Sequence, residues 1–355
     1  MSHKPCPPQP KMWHENNAFY MKTIRILLAV LLCCVSCERE HVGRSTARQN
    51  FDALWRIMDE RYCFFEYKDI DWQEVYDRYV VQLSDTTDQY ALFDLMSTML
   101  SEVKDGHVNL TSPFDVSRYW GWYKDYPANF SGSIQQNYLG EDYRIAGGMR
   151  YQLLREGQVG YVYYGSFSSG VSLTNLSYIF HQFRDCKGLI IDVRNNGGGT
   201  LTYADRIASC FTKEKILTSY IQHKVGTAHD AFSDPYPIYL EPIEGLCWEK
   251  PVVVLTNRYC YSAANDFLCR MKLLPQVTLV GDRSGGGGGL PFSAELPIGW
   301  SIRFSASPTL DANKEQIEFG IDPDVRVDML ESDALKGKDS IIEAGIEILL
   351  KKNAE

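Results

Sequence analysis

Between residues 46 and 103, apolar positions recur with the spacing of an amphipathic helix. In FDALWRIMDERY, one helical face carries Phe51, Leu54, Trp55 and Met58. Residues 71–83 and 87–103 repeat the pattern. We therefore predict a small helical N-terminal region over 46–110. Residues 111–150 are rich in Tyr, Trp, Ser, Gly and Pro without a clear period, which predicts a connection of loops and short strands.

From residue 151 onward, apolar runs typical of buried strands alternate with helical patterns. The predicted strands cover 159–167, 188–195, 251–257 and 277–281, and the helices between them cover 173–183, 201–211 and 262–272. Hairpin strands are expected near 292–306. This alternation predicts an α/β core with a mixed, largely parallel sheet over 151–335. In SIIE, at 340–343, we read a capping box that opens a C-terminal helix within 336–355.

The first residues have the pattern of an export signal. Met21 is followed by the basic residues Lys22 and Arg25, by an apolar stretch over 26–35, and then by Cys37. We expect residues 1–36 to be a leader and lipoprotein signal peptide with its start at Met21, Cys37 to be lipidated, and 37–45 to be a linker. The protein would then be an exported bacterial lipoprotein, anchored in a membrane and facing the periplasm or the cell surface. An uncleaved anchor and a genuine extended leader over 1–20 are the alternatives.

Charge and cysteine content restrict the class of protein further. The chain has 355 residues, 45% of them hydrophobic, and a net charge of −9. It has no basic stretch that could neutralise a row of phosphates, so we expect no nucleic-acid partner. Among the six cysteines after Cys37, no two form a CxxC motif, so neither a zinc ribbon nor a thioredoxin motif is indicated and we predict no metal site. Cys260 and Cys269 are interpreted first as small buried apolar residues and second as a disulfide.

Two stretches could carry chemistry at the carboxyl ends of predicted strands. In DVRNNGGG, at 192–199, backbone N–H groups near Gly198 and Gly199 could face a developing negative charge. In CYSAAND, at 260–266, Ser262 precedes a predicted helix. It is either an N-cap or a nucleophile. If it is a nucleophile, the oxyanion that forms on the substrate carbonyl would meet the unpaired N–H of Ala263.

A nucleophilic serine needs a base, and His107 is the best placed of the seven histidines. It lies in KDGHVNL, between a predicted helix and a predicted strand, which would present the imidazole in a short fixed segment. The alternative is a capping histidine.

Taken in order, these stretches resemble the C-terminal processing (tail-specific) serine peptidases, and more closely their tricorn-core-like branch. The matching motifs are DGHV at 105–108, GYVYYGSF at 160–167, GLIIDVRNNGGG at 188–199, VVVLTNRYCYSAAND at 252–266, LVGDRSGGG at 279–287 and FGIDPDVRV at 319–327. The resemblance implies a crotonase/ClpP-like ββα superhelical core. The connection over 111–150 is too short for a PDZ domain.

The resemblance also implies roles for individual residues. Ser262 would be the nucleophile, and Ala263 with Gly198 or Gly199 would form the oxyanion hole. The lysine base of the processing peptidases falls 25 residues after the serine, where this chain has Gly287, and Lys272 would lie on the helix facing elsewhere.

The tricorn-like branch uses a histidine base, which His107 matches. A serine precedes the histidine in that branch, and Gly106 stands there here. Glu318, or failing it Glu315, is the candidate carboxylate. No metal or organic cofactor is required.

The expected function is that of a serine endopeptidase that cleaves peptides or proteins. The alternatives are a catalytically inactive peptide-binding lipoprotein of the same fold and an esterase or amidase that uses the same serine. The sequence indicates neither the cleavage specificity nor the oligomeric state.

Overall fold

The computed structural model describes residues 45–351. The predicted leader, Cys37 and nearly all of the predicted linker therefore lie outside the described residues. Within 45–351, no helix is both long enough and apolar enough to cross a membrane.

Three helices form the N-terminal region, as the apolar periodicity predicts. They are α1 (Ala47–Arg61), α2 (Trp72–Val80) and α3 (Gln89–Ser101). Asp71 and Asp88 cap the second and third by accepting hydrogen bonds from backbone N–H groups of the first turn. The buried faces of these helices share an apolar core with residues of a later strand, including Ile302 and Phe304.

The segment over 111–150 contains more helix than its composition predicts. Its elements, with the short strand before it, are β1 (Asn109–Thr111), α4 (Gly121–Lys124), α5 (Gly132–Leu139), β2 (Arg144–Ala146) and β3 (Met149–Leu154). Helix α5 begins where the Ser131 side chain accepts a hydrogen bond from the N–H of Ile134. The prediction of loops and strands alone was therefore wrong here, because helices of one or two turns leave too few residues to show a period.

The main sheet confirms the predicted α/β core. Its remaining strands are β4 (Val159–Tyr163), β5 (Gly188–Asp192), β8 (Val252–Thr256), β9 (Val277–Gly281) and β12 (Val325–Arg326), in the order β12-β9-β8-β5-β4-β3-β2. The pairings from β12 to β4 are parallel, and those of β4 with β3 and of β3 with β2 are antiparallel. The crossover helices are α6 (Leu173–Gln182), α7 (Leu201–Ala208) and α8 (Ala263–Met271).

A second, antiparallel sheet lies beside the N-terminal helices. The predicted hairpin is its pair β10 (Gly289–Glu295) and β11 (Ser301–Asp311). Strand β11 also pairs with β1 and with β6 (Ile216–Ile221), and β6 pairs with β7 (Tyr236–Leu240). The sequence did not indicate β6 and β7, because their residues are only partly buried and do not alternate clearly.

The chain continues through α9 (Glu331–Ala334) into α10 (Ser340–Lys351). The predicted capping box was wrong by one position, because Asp339 is the cap. The Asp339 carboxylate accepts hydrogen bonds from the N–H groups of Ile341 and Ile342. The Ser340 hydroxyl instead donates to Asp333.

A buried ion network fixes the loop that follows β5. The Arg194 guanidinium is fully buried between the carboxylates of Asp192, at 2.7 Å, and Asp339, at 3.0 Å. Both partners are needed, because a buried charge is costly without hydrogen-bonded counter-charges. The network therefore links the glycine-rich loop at 195–199 to the C-terminal helix.

The six cysteines between residues 63 and 269 are free thiols. Cys260 and Cys269 are both buried, which agrees with their first interpretation as small apolar residues. Burial raises the pKa of each thiol to about 12, so neither is a reactive thiolate.

Candidate active site

Ser262 lies in a strained turn immediately before α8. Its φ and ψ are 58° and −122°, and its side chain makes no capping hydrogen bond. The N-cap serine of α6 contrasts with it: Ser172 has φ −103° and accepts a hydrogen bond from Asn175. A positive φ is unfavourable for a residue with a side chain and is typical of functional turns that present a nucleophile. Ser262 therefore occupies the N-cap position without capping the helix through its side chain, and its hydroxyl is left without a hydrogen-bond partner among residues 45–351.

The glycine-rich loop at 195–199 packs directly against this turn. A Cβ atom on Gly198 would lie 2.8 Å from the Cβ of Ser262, so only glycine fits there. The N–H of Gly198 already donates to the Asn196 side chain at 3.0 Å. Within the described part of the chain, the N–H groups of Gly199 and Ala263 have no acceptor. Two backbone donors beside the serine hydroxyl are thus free to bind an anion.

A cavity of about 210 Å³ opens beside Ser262, Ala263 and Gly199. Its apolar lining consists of Leu201, Ile221, Ile238, Leu290, Pro291 and Ile317. Asp266 and Arg270 also line it, but they are paired with each other at 2.6 Å. Arg303 lies in the lining too and has no ion pair or hydrogen bond to another described side chain. The cavity has the size and polarity to hold an apolar side chain of a ligand.

His107 is buried next to the residue that precedes the serine. Its ring centroid lies 4.9 Å from that of Tyr261, and its backbone N–H donates to the Asp105 carboxylate at 2.8 Å. Within residues 45–351, no hydrogen bond joins the imidazole to the Ser262 hydroxyl. Burial lowers the pKa of His107 to about 4, although the Asp105 carboxylate opposes this effect. The imidazole is therefore neutral at pH 7 and has a lone pair to accept a proton.

Asp105 is the centre of the polar network around His107. Its carboxylate accepts hydrogen bonds from the hydroxyls of Tyr62 at 3.0 Å, Tyr261 at 3.2 Å and Ser305 at 2.8 Å. Burial would raise its pKa, but Lys68, His107 and the hydrogen bonds outweigh burial and lower the pKa. Asp105 is consequently an ionised carboxylate with its acceptor positions occupied.

Glu318 does not contact His107, although both are buried. Its carboxylate pairs with Lys68 at 2.7 Å and accepts the N–H of Gly288 at 2.9 Å. Lys68 lies 3.9 Å from Asp105, so one lysine is shared by two buried carboxylates. Burial raises the pKa of Glu318 to about 7, against the effect of Lys68. Glu318 thus belongs to the same network but is separated from the imidazole by Lys68 and Asp105.

The other candidates lie away from these groups. Glu315 is exposed and lies in a turn in which its backbone N–H donates to the Asp311 carboxylate. Lys272 pairs with Asp324, as expected for a lysine that faces away from the serine. Gly287, at the position of the missing lysine, packs against the ring of Tyr261.

The sequence analysis did not single out Tyr62, Lys68, Asp105 or Ser305 as residues of the network. Asp105 belongs to the DGHV motif, so its position beside His107 was a usable signal. Ser305 and Lys68 carried none, because their contacts with the motif exist only after the chain folds. Among residues 45–351, no group of three or more His, Cys, Asp or Glu side chains could hold a metal ion.

Known proteins share this chain's sequence pattern. Residues 158–327 match the model of peptidase family S41, and residues 44–101 match the tricorn protease C1 domain. The tricorn protease of Thermoplasma acidophilum is 26% identical over 203 residues, which cover 56% of this chain and 17% of that protein. The chain thus corresponds to less than a fifth of the length of this relative.

Solved structures share the fold as well. A putative peptidase from Parabacteroides merdae is 62% identical with a TM-score of 0.84, covering 86% of this chain and 98% of that one. Mature CPAF is 11% identical with a TM-score of 0.63, covering 85% and 96% of the two chains, and shows likeness of fold alone.

Together, the fold and these matches define a serine peptidase by class. The chain belongs to peptidase family S41.

The strain at Ser262 predicts that a glycine at this position gives a more stable protein than an alanine, the reverse of the usual order. A non-glycine residue in such a conformation costs ~1–3 kcal/mol. We expect Ser262→Gly to have a free energy of unfolding ~1 kcal/mol higher than Ser262→Ala, after the greater unfolded-state entropy of glycine is subtracted. Urea denaturation measures both. Ser219, in the extended strand β6, is the control, where glycine should be the less stable variant; the same order at both positions would contradict strain at Ser262.

Proposed function

We propose that the protein is an exported serine peptidase in which Ser262 attacks the substrate carbonyl and His107 is the general base. The observation that carries this proposal is the strained turn of Ser262, where, within the described part of the chain, the hydroxyl and two nearby backbone N–H groups have no hydrogen-bond partner. Membership in family S41 supports peptides or proteins as the substrates. The apolar cavity next to Ser262 suits an apolar side chain of the peptide.

The mechanism follows from the available groups. His107 accepts the proton of the Ser262 hydroxyl as the oxygen bonds to the peptide carbonyl carbon. The N–H groups of Ala263 and Gly199 stabilise the oxyanion; Gly198 is less suited, because its N–H already bonds Asn196. His107 then donates its proton to the leaving amine. Water, deprotonated by His107, hydrolyses the acyl-enzyme and releases Ser262.

The imidazole and the serine hydroxyl must approach each other for the first proton transfer. Hydrogen bonds between catalytic groups are often long in the empty enzyme and shorten when substrate binds. The ring of Tyr261 contacts His107 and belongs to the residue before the nucleophile, so substrate contacts at this turn can change the distance between the two groups.

Loss of either proposed catalytic residue should abolish peptide cleavage. We expect wild-type protein to cleave a defined peptide pool and Ser262→Ala and His107→Ala to slow cleavage by at least ~100-fold, because each removes a chemical step. Mass spectrometry of the pool gives rates and cleavage sites. Ser172→Ala, at the ordinary N-cap of α6, is the matched control. Undiminished cleavage by Ser262→Ala would contradict the proposal, and intact peptides with all variants would favour a peptide-binding protein.

The low pKa of His107 predicts activity in mildly acidic solution. A base must be neutral, so kcat/KM should fall only as the pH approaches about 4, the pKa of His107. A histidine with an ordinary pKa of about 6.5 would already be mostly protonated at pH 5.5. Initial rates between pH 4 and 8 measure the profile. Glu318→Gln is the control, because the raised pKa of Glu318, about 7, could itself cause a loss of activity near that pH. A fall of kcat/KM at about pH 6.5 that persists in Glu318→Gln would contradict the assignment of His107 as the base.

Export and membrane anchoring through Cys37 are also part of the proposal, supported by the basic and apolar pattern at 22–35. We expect Cys37→Ser to move the protein from the membrane fraction to the soluble fraction after cell fractionation, because the attached lipid would be lost. Cys34→Ser, in the same apolar stretch, should leave it in the membrane fraction. Retention of Cys37→Ser in the membrane would support an uncleaved anchor instead.

A further inference from the structure

We propose that Ser305, on strand β11, is a positioning residue that holds His107 as the tautomer protonated at Nδ1. In this tautomer Nε2 has a free lone pair, so Nε2 is the atom that accepts the proton of the nucleophile. The consequence for catalysis rests on the proposed function, but the tautomer itself does not.

Ser305 lies between a carboxylate and the imidazole. Its Oγ is 2.8 Å from Oδ2 of Asp105 and 3.5 Å from Nδ1 of His107. The three residues have exposed fractions of 0%, 1% and 3%, for Ser305, Asp105 and His107 respectively. Within residues 45–351, this hydroxyl is the hydrogen-bond partner of the His107 ring. Burial excludes bulk water, so the ring depends on this serine to select its tautomer.

The number of protons determines the direction of each hydrogen bond. A serine hydroxyl has one proton to donate and can also accept. An ionised carboxylate can only accept, so the proton of Ser305 is directed to Asp105. Ser305 is then an acceptor toward His107, and Nδ1 must carry the hydrogen.

Asp105 is ionised because of the groups around it. The hydroxyls of Tyr62, Tyr261 and Ser305 and the backbone N–H of His107 all donate to its two oxygens, and Lys68 lies 3.9 Å away. A protonated Asp105 would have to direct a hydrogen toward one of these donors. The carboxylate therefore fixes the orientation of the Ser305 hydroxyl, and the hydroxyl fixes the imidazole.

The neighbourhood of Gly106 explains why this hydroxyl comes from a distant strand. A Cβ on Gly106 would lie 2.6 Å from Nε1 of Trp122 and 3.0 Å from the Tyr261 hydroxyl. The Trp122 and Tyr261 rings stack with centroids 4.1 Å apart, so neither can move without disturbing the other. A serine at position 106 would clash with both rings, and the hydroxyl near the imidazole comes instead from Ser305 on strand β11.

The tautomer can be measured directly in the full chain. Two-bond ¹H–¹⁵N correlation spectra of ¹⁵N-histidine-labelled protein at pH 7 distinguish Nδ1–H from Nε2–H in a neutral imidazole. The His107→Gln variant identifies the His107 signals among those of the seven histidines. We expect the Nδ1–H pattern in wild type. An Nε2–H pattern in wild type would overturn the proposal, whatever the peptide assay shows.

Two substitutions test the directions of the hydrogen bonds that join Asp105, Ser305 and His107. Ser305→Ala removes the acceptor, so a substantial fraction of His107 should shift to Nε2–H. Asp105→Asn should shift it as well although Ser305 is intact, because the amide can donate to Ser305 and the serine proton then turns to Nδ1. Ser307→Ala is the matched control: it lies on the same strand, is 3% exposed, and its hydroxyl is 3.0 Å from Nδ1 of His223. An unchanged His107 tautomer in both substitutions would overturn the proposal.

Kinetics then separate positioning from folding. If the proposed function holds, Ser305→Ala should lower kcat ~10–100-fold with little change in KM, because substrate contacts remain while the base is in the wrong tautomer. Ser307→Ala should leave kcat within about twofold of wild type. A tautomer shift in Ser305→Ala with an undiminished kcat would mean that the positioning exists but that His107 is not the base. This outcome contradicts the proposed function and not the tautomer.

Discussion

The arrangement of the candidate site depends on one buried carboxylate, that of Asp105. Its hydrogen bonds come from the end of α1 through Tyr62, from the serine turn through Tyr261, and from strand β11 through Ser305. Removing such a group would leave several buried donors unpaired at once, each at ~1–3 kcal/mol. The helical region, the second sheet and the nucleophile turn therefore meet at this one carboxylate, which also accepts the backbone N–H of the adjacent His107.

The strain at Ser262 is possible because its surroundings hold the turn from several sides. The N–H of Ser262 donates to the carbonyl of Gly286, the N–H of Tyr261 donates to the carbonyl of Asn196, and Gly198 fits against the serine Cβ. Two glycine-rich loops from different strand ends thus confine the turn between them. Their glycines are needed for this close approach, since an added Cβ would overlap the turn. Strain of this kind persists only where the rest of the fold over-determines it.

The sequence analysis predicted those elements that a short stretch of neighbouring residues determines. Strands β5 and β8 are buried at every residue and so read as continuous apolar runs. Ser262 and His107 became candidates because each lies in a short motif at the end of an element. Strands β6 and β7 were missed because they are only partly buried. Glu318, predicted as the carboxylate that supports His107, pairs with Lys68. The contact of Ser305 with Asp105 spans 200 residues of sequence, so no local pattern could indicate it.

Two buried carboxylates that share Lys68 have different pKa values. A single ammonium cannot fully compensate two carboxylates in a medium of low polarity, so their pKa values are pushed apart. Asp105 has the additional hydroxyl donors and the lower pKa, while Glu318 has one backbone donor and a pKa raised to about 7. Glu318 also accepts the N–H of Gly288, within the loop that lines the cavity beside Ser262. Asp105 is therefore bonded to the segment that carries His107, and Glu318 to the glycine-rich loop that lines the cavity.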